Sequence, residues 1–402
     1  MSSIFDHVPL SPVDPILGLP IAFAADCSPF KVNLGIGTYK TADGQPFILS
    51  AVKKAESILL QKSSNKEYLP IEGDAEFLAC ASKLLFGQDL LLAQPELFFF
   101  AQSVGGTSAL RIGGEFLAKL ISQTIFIPQP TWANHKQTFE RAGLNVGSYP
   151  YFDFKTHRFD FDGMCDAIRN MPPKSCILLH ACCHNPTGTD PNLEQWKALC
   201  DLIKKQQLIP FFDVAYHGFG EDLDTDAQAI RLFIQEQQEM LIAYSFSKNF
   251  SLYGERVGFL TCVTTNQTAT ALVGSQIKNI IRGNYSNPPL HGASIVSTIL
   301  KSHDLTVEWK LELNSMCMRI KEMRKALVAA LSVYVHQCDF SFLLEQKGLF
   351  SFLGLDLEQV NFLRAERALY MPINGRINIA GLNTQNISYV AESIAHAISQ
   401  NK

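Results

Sequence analysis

The sequence predicts an α/β chain: a mostly parallel sheet flanked by helices, with a second, smaller α+β domain. Three observations carry this. Between about residues 98 and 265, short apolar runs alternate with longer stretches of helical period, as in a layered α/β fold. Several of these runs are apolar throughout, which suits strands covered on both faces. After residue 300 the period turns helical, with two short strand-like runs before the end. A chain of 402 residues, 47% of them hydrophobic, can bury a core large enough for two domains.

In chain order, residues 1 to about 38 are rich in proline and small residues and contain Asn33-Leu34-Gly35-Ile36-Gly37. Two glycines one residue apart let a backbone turn tightly or approach a ligand. The spacing predicts an amphipathic helix over 50–62, and an ordered loop over 66–73 that carries Tyr68. The expected strands are Phe98–Ala101, Thr124–Ile127, Cys176–His180, Ile209–Phe212, Leu241–Ala243 and Val257–Thr261. Beyond them come a long helical stretch from Asp304 to Val335, strand-like Leu349–Phe352 and Arg376–Ala380, and a helix from about Asn386. The expected division is a large domain, 39–305, and a small one formed by 1–38 and 306–402.

The net charge of −4 and the lack of any Lys/Arg run argue against a nucleic-acid binder. No apolar stretch reaches the roughly 18 residues of a membrane span; Leu90 to Phe100 is broken by Gln94, Pro95 and Glu96. Met1 to Pro15 has no basic start and no apolar signal core, and carries Asp6 and Asp14. The ten cysteines have no repeated spacing and read as reduced thiols. The expected compartment is the cytoplasm.

Ligands of such sheets gather at the carboxyl ends of the strands, and the unusual residues stand there. Lys248, in Ser245-Phe246-Ser247-Lys248-Asn249-Phe250, follows a buried strand. Burial lowers a lysine pKa and frees the amine as a nucleophile or Schiff-base former. The stretches around it supply what a lysine-bound pyridoxal phosphate would need. Gly105-Gly106-Thr107 follows a strand and opens a helix, a place suited to a phosphate. Trp132, in a proline-rigid loop, offers a flat face for a planar ring. Asp213 lies in an apolar strand and needs a cationic partner; a protonated pyridine nitrogen would be one. Tyr216, three residues on, could reach the same ring's phenolic oxygen, and Asn185 could donate to a ligand oxygen. Arg282 and Arg376 each stand among small polar residues, and two guanidinium forks suit a dicarboxylate. His180 and His184, with Cys182 and Cys183 between them, could be metal ligands. That spacing serves a helix face, however, and here a strand runs into a Pro-Thr-Gly turn with no acid to complete the motif. No metal is expected.

The ordered set of Asn33-Leu34-Gly35-Ile36-Gly37, Gly105-Gly106-Thr107, His184-Asn185-Pro186-Thr187-Gly188, Asp213-Val214-Ala215-Tyr216, Ser245 to Phe250 and Arg282-Gly283-Asn284-Tyr285-Ser286-Asn287-Pro288-Pro289 resembles the aspartate aminotransferases. These are class I of the fold-type I pyridoxal-phosphate enzymes. The likeness runs from about Asp14 to the last helix. It implies a seven-stranded sheet and pyridoxal 5'-phosphate as cofactor, and a ping-pong exchange between L-aspartate and 2-oxoglutarate through a Schiff base at Lys248.

Asp213 would pair with the pyridine nitrogen, and Asn185 and Tyr216 with the phenolic oxygen. Trp132 would stack on the ring, with His135 and His180 supporting Asp213. Gly106, Thr107, Ser245, Arg256 and the partner subunit's Tyr68 would hold the phosphate. Gly37, Trp132, Asn185 and Arg376 would meet the substrate, and the partner's Arg282 its distal carboxylate. A homodimer with shared active sites and a closing small domain is thereby implied. Ser108, Ser251 and Gly254 depart from the family's usual residues, all near the phosphate cup. Other readings are an aromatic amino-acid aminotransferase, whose relatives keep both arginines, and a catalytically silent binding protein on the same fold. Loss of Lys248, Asp213 or Arg376 would mark the silent form, and all three are present.

Overall fold

The computed structural model describes residues 3–11, 18–62, 65–336 and 338–400. Asp14, where the family likeness begins, lies outside the described residues. Seven strands form the main sheet: β1 (Phe98–Val104), β2 (Thr124–Gln129), β3 (Asn145–Pro150), β4 (Cys176–His180), β5 (Ile209–Val214), β6 (Met240–Ser245) and β7 (Val257–Val263). Their order is β1-β7-β6-β5-β4-β2-β3. β7 runs antiparallel to both neighbours, and every other pairing is parallel.

Each of the six strands expected from the apolar runs is found. The seventh, β3, is an edge strand of mixed exposure that contains Gly147 and ends in Pro150. Covered on one side only, it has no continuous apolar run to reveal it.

The apolar runs are explained by burial on both faces. Ile177, Leu179, Phe212, Ile242 and Tyr244 enter one hydrophobic cluster, while Cys176, Leu178, Phe211, Leu241 and Ala243 enter another on the opposite face. Alternate residues of one strand thus feed two cores. Helices α2 (Gly105–Leu120) and α3 (Gln267–Asn284) cover the second face.

Outside the sheet, α1 (Ser50–Gln61) leans on α4 (His303–Tyr334), a helix of 32 residues. Phe350–Phe352 pairs antiparallel with Arg376–Asn378. Val32–Asn33 pairs parallel with Leu369–Tyr370, so the early chain is stitched to the late chain. A last helix, α5 (Ile387–Ser399), packs on α4.

The register gathers the polar residues. His180 is paired with Asp213, and Asp213 with Ala243. Gly258 is paired with both Ser245 and Ser103. Because β7 is antiparallel, its beginning lies beside the ends of β1 and β6. Arg256, just before β7, therefore meets the loop after β1.

Candidate active site

A cavity of about 270 Å³ opens at the carboxyl ends of the parallel strands. Its floor is an anion cup. Gly105 opens α2 in the left-handed region, φ +74°, and a Cβ there would stand 2.5 Å from Arg256 Nη2. Only glycine lets the guanidinium lie this close to the helix start. Arg256 donates through Nη1 to Tyr253 O at 3.1 Å and through Nη2 to Val104 O at 3.5 Å. Ser245 Oγ donates to Ser247 Oγ at 3.0 Å. Free N–H groups, a helix dipole, hydroxyls and a guanidinium are a phosphate's partners.

Lys248 stands above this cup, its Nζ 5.1 Å from the Tyr216 ring centre. Burial pushes its ammonium down to about 8; Asp213 works against the shift, and Arg256 and Arg376 add to it. Roughly a tenth of the amine is then uncharged at pH 7, far more than for an ordinary lysine.

Asp213 is the opposite case. Burial raises its pKa, but the hydrogen bond from His135, with help from the Lys248 charge, more than compensates and holds it below the usual value. The supporting bonds have a direction. The Asn185 backbone N–H donates to His180 Nδ1 at 3.3 Å. Burial first, then the neighbouring His135, push His180 down to about 3, against the pull of Asp213. His180 is therefore neutral, with its hydrogen on Nε2, 3.3 Å from Thr131 Oγ1. Thr131 Oγ1 is 2.8 Å from His135 Nδ1, and His135 Nε2 is 2.9 Å from Asp213 Oδ2. The arrangement that satisfies every atom has Thr131 accepting from His180 and donating to His135, which leaves the His135 Nε2–H for Asp213.

The far wall is built by Arg376, on a short strand of the late chain. Its Nη1 donates to Asn185 Oδ1 at 3.1 Å and its Nη2 to Gly35 O at 2.6 Å, and the guanidinium lies 4.0 Å over the Phe350 ring. Its Nε is buried without a partner among the described residues. No carboxylate among the described residues neutralises it, and burial lowers its pKa to about 10, with Tyr216 opposing. Asn185 Nδ2 donates to the Tyr216 hydroxyl at 3.4 Å. A buried cation with no counter-ion is costly unless an anion arrives.

A family model for aminotransferases of class I and II matches residues 29–394. The chain is a class I/II aminotransferase. It is 46% identical over 404 residues to the cytoplasmic aspartate aminotransferase of Oryza sativa subsp. japonica, covering 100% of this chain and 99% of that one. Among solved structures, it is 46% identical, with a TM-score of 0.95, to an aromatic-amino-acid aminotransferase from Burkholderia pseudomallei covalently bound to pyridoxal phosphate. That match covers 98% of this aminotransferase and 100% of the other. The cytoplasmic aspartate aminotransferase of Saccharomyces cerevisiae superposes with a TM-score of 0.96 at 38% identity, over 99% of each chain. The fold is that of the fold-type I enzymes, and the cofactor is pyridoxal phosphate. The residues present fit it: a depressed lysine, a carboxylate held ionised, a flat Trp132 face, and an anion cup at a helix start.

Of the residues singled out from the sequence, Gly37, Gly106, Thr107, Trp132, His180, Asn185, Asp213, Tyr216, Ser245, Lys248, Arg256 and Arg376 of this aminotransferase line the one cavity. His135 stands behind it, bonded to Asp213. Tyr68 and Arg282 do not reach it. Both line a separate groove of about 810 Å³ with Leu69, Tyr285 and Pro288, and Tyr68 is 90% exposed.

His180 and His184, weighed as metal ligands, have ring centres 4.3 Å apart. His180 Nδ1 accepts from the backbone, however, and His184 Nδ1 bonds Thr187. Three site residues went unread in the sequence. Thr131 precedes Trp132 in the loop that drew attention, so a polar neighbour of the flat ring was its only signal. Phe350 and Tyr253 reach the cavity through tertiary packing and had no local signal.

Proposed function

We propose that this aminotransferase moves the amino group between L-aspartate and 2-oxoglutarate, giving oxaloacetate and L-glutamate. The observation that carries this is the buried, unneutralised Arg376 facing an amine depressed to about 8 in one cavity. The names of the curated relatives support aspartate as donor. When bound, pyridoxal phosphate supplies a carbonyl that condenses with amines and a ring that accepts the electron pair left by Cα–H cleavage.

The chain's own residues do the rest. Lys248 would hold the cofactor covalently and, once displaced by the substrate amine, take and return the Cα proton as a base near neutral pH. Asp213, kept anionic by His135, would hold the pyridine nitrogen protonated. Asn185 and Tyr216 would bond the phenolic oxygen, and Trp132 would cover the ring. Gly106, Thr107, Ser245 and Arg256 would bind the phosphate. Arg376, braced by Asn185, would grip the α-carboxylate beside Gly37 and so fix the direction of the Cα–H bond.

We further propose a homodimer in which the partner's Tyr68 reaches the phosphate and the partner's Arg282 the distal carboxylate. The exposed groove that holds this chain's own Tyr68 and Arg282 supports it. A large domain over 39–305 and a small one from 1–38 with 306–402 accord with the pairing of Val32–Asn33 to Leu369–Tyr370. A cytoplasmic location follows the rice relative's name.

The second reading, aromatic amino acids as preferred donors, is favoured by the names of several similar structures. Comparing kcat/KM for aspartate with that for tyrosine and phenylalanine decides between them. The proposal expects aspartate to lead by at least an order of magnitude, roughly the worth of one charged carboxylate contact, and a lead for either aromatic overturns it.

A further inference from the structure

Tyr253 lies five residues beyond Lys248 and lines the cavity, yet nothing above gives it a task. Its backbone is tightly directed. Ser251, with φ +52°, donates its N–H to Lys248 O at 3.0 Å, and Arg256, with φ +55°, donates from its side chain to Tyr253 O at 3.1 Å. Two non-glycine residues in the left-handed region on either side of one tyrosine are uncommon.

The hydroxyl accepts the backbone N–H of Tyr39 at 2.9 Å, across 214 positions of sequence. Tyr39 belongs to the segment 36–40, which has several ties to the late chain. Asn378 Nδ2 donates to Ile36 O at 2.6 Å and to Thr38 O at 2.7 Å, and Arg319 Nη1 of α4 donates to Lys40 O at 3.1 Å. Gly37 lies flat on Phe350, where a Cβ would stand 2.7 Å from the ring. Ile36, Gly37 and Thr38 roof the cavity. The Tyr253–Tyr39 bond therefore joins the lysine-bearing loop to a roof that the late chain also holds.

A phenol can accept and donate together. The Tyr253 hydroxyl accepts from Tyr39, while its own hydrogen has no acceptor among the described residues.

We propose that Tyr253 is a positioning residue: it donates its hydroxyl hydrogen to an oxyanion bound in the cavity while holding Tyr39, so that occupancy and the roof segment are coupled. This rests on the transaminase reading, since the oxyanion is either the cofactor's phosphate or the substrate's carboxylate. A hydrogen bond to a charged acceptor, added to an existing one, draws the 36–40 segment toward a filled site.

Tyr253→Phe keeps the ring and removes only the oxygen. Two titrations read the result: pyridoxal phosphate added to cofactor-free protein, followed by the visible band, and single-turnover conversion of the loaded enzyme against aspartate concentration. Wild-type protein must show the band and its loss with aspartate; if it does not, the transaminase reading fails rather than this inference. In the variant the saturating rate is expected to stay within about twofold, while one binding constant weakens roughly tenfold. Weaker cofactor binding, whether or not aspartate binding follows, identifies the phosphate as the acceptor. Weaker aspartate binding with cofactor affinity intact identifies the carboxylate. Both constants unchanged, a fall confined to the saturating rate, or a lowered melting temperature of the cofactor-free protein would each overturn the proposal; the last would make the hydroxyl a mere prop of the fold.

Discussion

Lys248 owes its chemistry to what surrounds it. Burial drives its pKa to about 8, and Asp213 is the one neighbour that resists the shift. Only the uncharged amine attacks a carbonyl, so in cofactor-free protein the rate of imine formation with pyridoxal should climb with pH and level off above about 8. Asp213→Asn removes the resisting charge, and the midpoint should move lower; stopped-flow absorbance across pH measures both. At the other wall, Arg376→Lys keeps the charge but loses the planar fork held by Asn185 and Gly35. A loss of roughly 3 kcal/mol in transition-state binding, about a hundredfold in kcat/KM, is expected. An unchanged value would remove Arg376 from substrate recognition. Lys248 and Asp213 were legible in the sequence because each is the wrong residue for its apolar surroundings, whereas Arg376, among small polar residues, gained its role only from the family resemblance. Thr131 was not legible, because its value lies in joining His180 to His135, which are far apart in the chain.

Among the elements, the buried strands could be read from their apolar runs because both faces of the sheet are covered. Edge strand β3 escaped, since exposure breaks the run. Long-range caps escaped as well. The first turn of α1 has no side-chain cap of its own. Instead Glu312, on α4, accepts from Ser50 N–H at 2.7 Å and Ala51 N–H at 3.1 Å. A carboxylate at a helix N-terminus satisfies orphan donors and complements the dipole. Glu312→Ala should cost about 1 kcal/mol, read as a lower denaturant midpoint with unchanged kcat. A midpoint that does not move would show that α1 needs no such anchor.

For the whole molecule, the cavity in one chain holds every proposed contact except Tyr68 and Arg282, which sit in a separate groove. If the sites are shared, two inactive variants can repair each other. Mixing Lys248→Ala with Arg282→Ala subunits under dissociating conditions, then reassociating them, assembles one intact site in each hybrid dimer. Activity should return to roughly a quarter of wild type, half the molecules having one good site of two. No recovery would place Arg282 outside the neighbour's site.

The central claim is that Lys248 carries pyridoxal phosphate and that the bound pair accepts an amino group from aspartate. The absorbance spectrum of the purified protein, before and after aspartate is added, tests it most directly. A visible band that shifts with pH and bleaches with aspartate, and that Lys248→Ala lacks in its normal form, is the predicted result. A wild-type protein with no such band even after pyridoxal phosphate is supplied would contradict the account.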